Sequence, residues 1–275
     1  MRVVLRGLLV LLAVLPVHSR AGASAGADRV VTLSPLLSEW VGELIGCEGA
    51  VKRIVGVSDY SDFPQCLAGK PSVGPYHRVS IEKVISLRPD LVLASEEYNR
   101  DAIERLRGLG IRVEVLPKEG FRTMPAWIEK LGAVLGAAAQ AKRSSESWVA
   151  GIKEFESRKK RGRRVFIEIQ HEPLITVGGD SFLDEAYRAV GFLNVFADQS
   201  EGYPRVSREA VLKADPDEIH ILDLRGREKE FEESRRSWIR FPKMKAVRER
   251  RIIRLPGEDF ARCTPRLLRA LKGLG

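Results

Sequence analysis

Val79-Ser80-Ile81-Glu82-Lys83-Val84, followed by Pro89-Asp90 and Leu91-Val92-Leu93, returns later in the chain as Val206-Ser207-Arg208-Glu209-Ala210-Val211, Pro216-Asp217 and Glu218-Ile219-His220-Ile221. Ser80 and Ser207, Glu82 and Glu209, Val84 and Val211, and Pro89 and Pro216 each stand 127 positions apart. One offset kept at four places without a gap marks an internal repeat, and so two lobes of similar build. Each copy reads as helix, turn, strand. Ser80 and Ser207 are N-cap residues, because a hydroxyl accepts a bond from an orphan amide of the first helical turn. Ile81, Val84 and Ile85 fall at helical spacing and face inward. Pro89 and Pro216 end the helices, since the residue before a proline is pushed out of the α region.

Glu82 and Glu209 sit in the first helical turn, off the apolar stripe. The pattern leaves two readings open. Each carboxylate complements the positive end of its own helix, or the two form a two-point docking surface, one point per lobe.

Outward from the repeat, the 275 residues suit two lobes of ordinary domain size. Hydrophobic content of 44% and charge of 30% are values of a globular chain. Residues 1–26 differ. Arg2 and Arg6 precede the apolar run Leu8 to Val17, and small residues follow at Ala21-Gly22-Ala23-Ser24-Ala25, so the segment is expected to be a secretory signal peptide. The run is too short to span a bilayer as a helix, and the remainder is expected to be soluble and periplasmic. Residues 1–26 carry Arg2, Arg6 and Arg20 and no acid, so a net charge of +9 falls to +6 without them. The densest basic run, Arg158 to Arg164, is read as a solvated helix end rather than a nucleic-acid patch, as no nucleic-acid module accompanies it. Of Cys47, Cys66 and Cys263, the first two flank a predicted strand and are candidates to pair in an oxidising compartment, leaving the third buried and free.

Strands are expected at 29–33, 53–57, 91–94, 111–116, 165–169, 218–221 and 251–255, with helices at 36–45, 99–109 and 181–190. This alternation predicts α/β lobes with largely parallel sheets. Residues 123–160 read as helix with few breakers; two helices with a break fit the pattern too, but one long α-helix is the first expectation for joining the lobes. The domain plan is therefore 27–120 for the first lobe, 121–162 for the connector and 163–275 for the second. A rigid connector of that kind restricts hinging.

The chemistry begins with what is missing. The chain has no glycine-rich phosphate loop and no Gly-x-Ser-x-Gly elbow. His171-Glu172 lacks the second histidine of a zinc-protease helix. His77 and His171 are too few for a dedicated metal binder, and His220, in a strand, is read as packed. No enzyme activity, resident cofactor or metal site is expected. Tyr60, Tyr76, Tyr203 and Phe260 fall on predicted loops next to strand ends, where open α/β sheets hold ligands. Glu258, Arg262 and Arg78 supply candidate polar anchors. An aromatic burying ~150–250 Å² contributes up to ~4–6 kcal/mol, so several of them offset the association cost of a large flat ligand.

Arg29-Val30-Val31-Thr32-Leu33-Ser34-Pro35 with Ser38-Glu39, then Val55-Gly56-Val57-Ser58-Asp59-Tyr60-Ser61-Asp62-Phe63-Pro64, resembles the substrate-binding proteins of ABC importers for vitamin B12, haem and ferric siderophores. The phrases Ile81-Glu82 through Leu91-Val92 and Val206-Ser207-Arg208-Glu209 are also typical of that family. The resemblance covers essentially the whole chain after residue 26. It implies two α/β lobes joined by one long helix, with cobalamin or another corrinoid carried as ligand in the cleft between them. Haem or a ferric siderophore is the alternative, and an exported metal-ion chaperone or enzyme the remoter one. It also implies that Glu82 and Glu209 dock onto arginines of an inner-membrane ABC permease and that the free protein is a monomer. Tyr60 matches a ligand-contacting tyrosine. Tyr76 and Tyr203 stand where the cobalamin binders have tryptophans, and Ile175 where they have a phenylalanine. Glu258 and Arg262 match an acidic and a basic contact. His77, beside Tyr76, departs from the pattern and is weighed as a ligand to the cargo's metal against a plain exposed loop histidine.

Overall fold

A computed structural model describes residues 26–158, 162–226 and 228–274. The expected signal segment lies outside the described residues, apart from Gly26. The first lobe runs β1 (Val30–Thr32), α1 (Pro35–Arg53), β2 (Ile54–Val57), α2 (Ile81–Ser86), β3 (Leu91–Ser95), α3 (Glu96–Gly108) and β4 (Val113–Leu116). Two helices follow, α4 (Met124–Leu135) and α5 (Ala138–Ser157). The second lobe opens with β5 (Arg163–Gln170), β6 (Ile175–Thr176), α6 (Phe182–Ala189), β7 (Phe192–Asn194), α7 (Arg208–Ala214) and β8 (Glu218–Asp223). It closes with α8 (Glu228–Ile239), α9 (Lys245–Arg248), β9 (Ile252–Pro256), α10 (Gly257–Phe260) and α11 (Pro265–Lys272).

The first sheet has the order β2-β1-β3-β4, all parallel. In the second, β5, β8 and β9 are parallel neighbours, and β7 and antiparallel β6 share the other edge of β5. Side chains alternate across these strands. Leu91 and Leu93 enter one core cluster while Val92 and Ala94 enter another; Val165 and Ile167 likewise part from Phe166. Strands buried on both faces read as continuous apolar runs, as parallel sheets do. Each sheet thus keeps one face in a core private to its lobe. The other faces meet in one cluster that runs through both lobes, from Trp40 and Leu93 to Phe155, Ile167 and Leu255.

The repeat is a structural unit down to its caps. Ser80 Oγ accepts from the Lys83 amide at 3.3 Å, and Ser207 Oγ from the Ala210 amide at 3.2 Å. Arg88 and Asp215, again 127 apart, both take left-handed backbone (φ 47° and 41°) just before the prolines. The aspartates that follow have matching work. Asp90 Oδ2 accepts the amides of Asp28 and Arg29 at the start of β1, and Asp217 Oδ2 accepts the Arg164 amide in β5. The Pro-Asp of each copy therefore ends a helix and anchors the adjacent strand in register.

The connector differs from the single helix expected over 121–162. Gly136, in left-handed backbone (φ 69°), caps α4, and the chain folds back into α5. The two helices pack antiparallel. Ser145 Oγ donates to Glu129 Oε1 at 2.9 Å, and Trp148 Nε1 donates to the Phe121 carbonyl at 2.8 Å. Close approach needs Gly132, because a Cβ there would fall 2.1 Å from that of Ala141. Among the described residues α5, a helix of 20 residues, leads from the hairpin toward β5 of the second lobe. At the rise of an α-helix it spans about 30 Å. Lys159, Lys160 and Arg161 of the expected helix end lie outside the described residues. The helix expected at 36–45 continues past a kink at Gly46 to Arg53.

Cys47 and Cys66 form a disulfide, and Cys263 is free and buried. The bridge closes a loop that includes β2 and the turn bearing Tyr60 and Phe63. Its ends lie 19 positions apart. For a loop of that length, closure entropy assigns the bridge about 3 kcal/mol. The double variant Cys47→Ala/Cys66→Ala is expected to lose that amount in guanidinium unfolding; a loss below about 1 kcal/mol would mean that the reduced loop is already held by its packing.

A tyrosine-lined cleft between the lobes

Every strand of the first sheet points its carboxyl end toward one hollow, and so do β8 and β9 of the second. The hollow has a volume of about 480 Å³. Its walls come from the chain just after β1 (Ser34, Leu36), β2 (Tyr60), β3 (Ser95, Tyr98), β4 (Glu119), β8 (Leu224) and β9 (Glu258, Arg262), joined by Tyr76 and His77 from the loop before α2. Ligands of open α/β sheets lie at such carboxyl ends.

Five residues expected to bind ligand thus line one cleft: Tyr60, Tyr76, His77, Glu258 and Arg262. Tyr60 is 56% exposed and stands on left-handed backbone (φ 65°), which turns its ring out from the end of β2. Tyr76 meets Tyr98 edge to face at 5.2 Å and His77 at 5.3 Å. The first lobe therefore offers a joined set of rings in a favourable arrangement. Asn99 positions them. Its amide donates to the Tyr76 carbonyl at 2.6 Å, while its oxygen accepts the Ser95 amide at 2.9 Å. Tyr203 is 40% exposed on the second lobe. Desolvation at its hydroxyl, followed by the fields of Glu119, Tyr98 and Glu97, pushes its pKa well up. Like Ile175, Tyr203 is not among the residues lining the hollow.

Three expectations are corrected. Phe260 is 1% exposed and packs on Tyr187 at 6.3 Å; the turn of α10 points it into the core, while Glu258 and Arg262 line the hollow. Ile175 is half-buried in β6, bridged to Arg205, and is not among the residues lining the cleft. Arg78 lines a smaller hollow beside the cleft, with His77 and Tyr98. Arg262 is less free than a ligand anchor would be. Its side chain is 13% exposed and donates to Glu39 at 2.9 Å, with Glu258 at 3.6 Å.

The residue patterns did not single out Tyr98, Glu119 or Leu224. Each follows the end of a strand, so applying the carboxyl-end rule to every strand finds all three. Glu119 is the most perturbed carboxyl of the cleft. Desolvation raises its pKa to about 7, opposed by the Cys263 amide it accepts at 2.6 Å and by Arg262, and reinforced by Glu97 and Glu39. A raised carboxyl binds its proton more tightly folded than unfolded. Its contribution to stability is therefore present below the ordinary pKa of 4.5 and is lost as pH rises toward about 7. Glu119→Gln keeps an acceptor for Cys263 and removes the titration. Urea unfolding at acid and neutral pH is expected to show that fall shrink in the variant; an unchanged pH dependence would assign the fall to other groups.

The lobes are bonded to each other beneath the cleft. Glu39 of α1 is 4% exposed and takes Arg262 and Arg266 from the far end of the chain. Trp40 Nε1 donates to the Cys263 carbonyl at 3.0 Å. Lys118 pairs with Asp180 at the rim. Among the described residues no group of three or more His, Cys, Asp or Glu is placed to hold a metal ion, and no helix is long and apolar enough to cross a membrane. His220 is fully buried between Tyr187 and Glu218, as its strand position implied.

Two lobes with largely parallel sheets, a cleft at their shared carboxyl ends and a helical hairpin as connector define a recognisable architecture. Residues 30–258 match the family described as Periplasmic binding protein. The chain belongs to that family. An uncharacterised ABC transporter substrate-binding lipoprotein of Bacillus subtilis (strain 168) is 30% identical over 90% of this chain and 78% of its own length. The vitamin B12-binding protein of Salmonella choleraesuis is 29% identical over 98% of this chain and 95% of its own. Among solved structures, the periplasmic vitamin B12 binding protein of Vibrio cholerae superposes with a TM-score of 0.78 at 25% identity, covering 90% of this chain and 95% of that one. A periplasmic heme binding protein of Pseudomonas aeruginosa gives 0.75 at 27%, covering 90% and 91%. As a periplasmic binding protein of this kind, the chain is the substrate-binding component of an ABC importer and works outside the cytoplasm.

Proposed function

We propose that the protein binds a corrinoid, cobalamin first among them, between its lobes and hands it to an inner-membrane ABC permease. The observation that carries the reading is the cleft itself, open at the carboxyl ends of both sheets and walled by Tyr60, Tyr76 and Tyr98. Flat rings on an open wall suit a large planar ligand, which buries them without requiring the lobes to close. The vitamin B12-binding relatives support the choice of cargo. Glu258 and Glu119 supply acceptors for a rim of amide donors. Haem or a ferric chelate is the second reading, favoured by exposed His77 at the cleft edge, a nitrogen ligand for the cargo's iron.

Glu82 and Glu209 are the docking points. Both are exposed at the first turn of their helices. Both carboxyls are held below their usual pKa, first by backbone amides and then by Ser80 and Ser207. They stay ionised at any pH of transport, as pairing with permease arginines requires. The free carrier is a periplasmic monomer and no enzyme.

Quenching of intrinsic fluorescence by cyanocobalamin, hemin and a ferric siderophore, titrated separately, tests the cargo. Saturable quenching by cyanocobalamin at the lowest concentration is expected. If hemin or the siderophore saturates and cyanocobalamin does not, the second reading replaces the first.

A further inference from the structure

The second lobe carries a basic face at the end remote from the cleft. Residues 235–251 hold eight lysines and arginines and a single acid, Glu249. Lys245 bonds back to Asp217, and the Ala246 amide donates to the Pro216 carbonyl, which fixes the segment at the amino ends of β8 and β9. Some of the charge is neutralised: Arg251 and Arg248 share Glu249, and Arg235 reaches Glu232. Arg236, Arg240, Lys243 and Arg250 are exposed and have no acid partner among the described residues. A solvated helix end would account for the charge alone. It does not account for Ile239, 45% exposed between Arg236 and Arg240, or for Leu193, 51% exposed on β7 in register with Arg164. The exposed large side chains of the cleft region are aromatic instead: Tyr60, Phe63, Tyr98 and Tyr203.

We propose that this face binds the surface of an anionic phospholipid bilayer. Unpaired cations interleaved with exposed aliphatic side chains fit a headgroup region, where lysine and arginine meet lipid phosphate and an aliphatic side chain reaches the acyl boundary. A nucleic acid or other polyanion would use the cations and leave Ile239 and Leu193 idle. The geometry leaves the proposed docking point free. Glu209 lies in the first turn of α7, and Asp215, which accepts the Lys245 amide at 2.8 Å, follows its end. The length of that helix puts about 10 Å between the two surfaces. A free carrier resting on this face holds its cleft away from the lipid and searches for a permease over a surface rather than through a volume.

Cosedimentation of the purified protein with phosphatidylglycerol–phosphatidylethanolamine vesicles, against phosphatidylcholine vesicles, at low and high salt, tests this. Binding to the anionic vesicles alone, lost at high salt, is expected. Each cation at such a surface is worth roughly fivefold in partitioning, so R236E/R240E/K243E/R250E is expected to lower it on the order of a hundredfold or more, with circular dichroism unchanged. Ile239→Ser is expected to weaken binding severalfold while keeping its salt dependence. Equal binding to phosphatidylcholine, an unaffected quadruple variant, or an Ile239→Ser variant that binds as the parent does while heparin strips both from the vesicles would overturn the proposal. The readout needs no ligand, so it stands or falls apart from the identity of the cargo.

Discussion

Glu39→Ala is expected to destabilise the folded protein by about 3–5 kcal/mol, the cost of stranding a buried charge partner. Glu39 lies on α1, in the first lobe, and is 4% exposed. Its carboxylate accepts Arg262 Nη1 at 2.9 Å and Arg266 Nη2 at 2.6 Å, both from the last stretch of the second lobe. Those side chains are only 13% and 16% exposed. Deleting the carboxylate leaves two largely buried guanidiniums side by side with a cavity between them. Arg266 keeps Asp259 at 3.5 Å and the ring of Phe63 at 4.6 Å, and Arg262 keeps Glu258 at 3.6 Å, so the loss stops short of unfolding. Guanidinium unfolding of Glu39→Ala and Glu39→Gln measures it. The amide is expected to recover part of the loss by accepting one bond while leaving the charge unbalanced. A loss under about 1 kcal/mol in Glu39→Ala would show that solvent already reaches the triad and that the lobes are held by their shared apolar core alone.

The second large effect concerns delivery. Reversing both proposed docking carboxylates, Glu82→Lys with Glu209→Lys, is expected to reduce importer-dependent uptake to background and to leave ligand affinity as it was. Both side chains are exposed, and neither touches the cleft or the core. Ser80 and Ser207 keep their capping bonds to Lys83 and Ala210 whichever residue follows. If the proposed permease arginines face these positions, lysines repel where the parent glutamates attract, and like-charge juxtaposition at an interface suppresses association. Uptake into vesicles holding the permease, beside a quenching titration of the same sample, separates the outcomes. Undiminished uptake would return both glutamates to their capping role. Loss of affinity along with uptake would put them in the fold.

Much of this was legible in the sequence because it is local or periodic. The 127-residue offset gave two lobes, and the structure extends the match to Arg88 with Asp215 and to Asp90 with Asp217. Strand positions were clear because fully buried parallel strands are continuous apolar runs. The helical hairpin was missed for a local reason. The alanine-rich run around Gly136 keeps its apolar period through the reversal, and a glycine interrupts a helix or ends one depending on packing that the period does not record. Small strands β6 and β7 carry too few residues to show alternation. In the cleft, tyrosines beside strand ends were found by type. Glu119 was not, because a lone glutamate in a loop has no pattern. Its pKa is raised first by burial and is opposed by residues far along the chain, at Cys263 and Arg262. Phe260 was misplaced because loop membership says nothing of which way a short helical turn directs each side chain.

Cys263 sits where the lobes join, its amide bonded to Glu119 and its carbonyl to Trp40, with no solvent exposure and a thiol pushed up by burial and by Glu119. It is the chain's one unpaired thiol. An alkylating reagent can reach it only when the seam parts, so the rate of modification counts separations of the halves. The protein thus carries a native stopwatch for whether a permease pries its carrier open or takes the cargo from a carrier that stays shut.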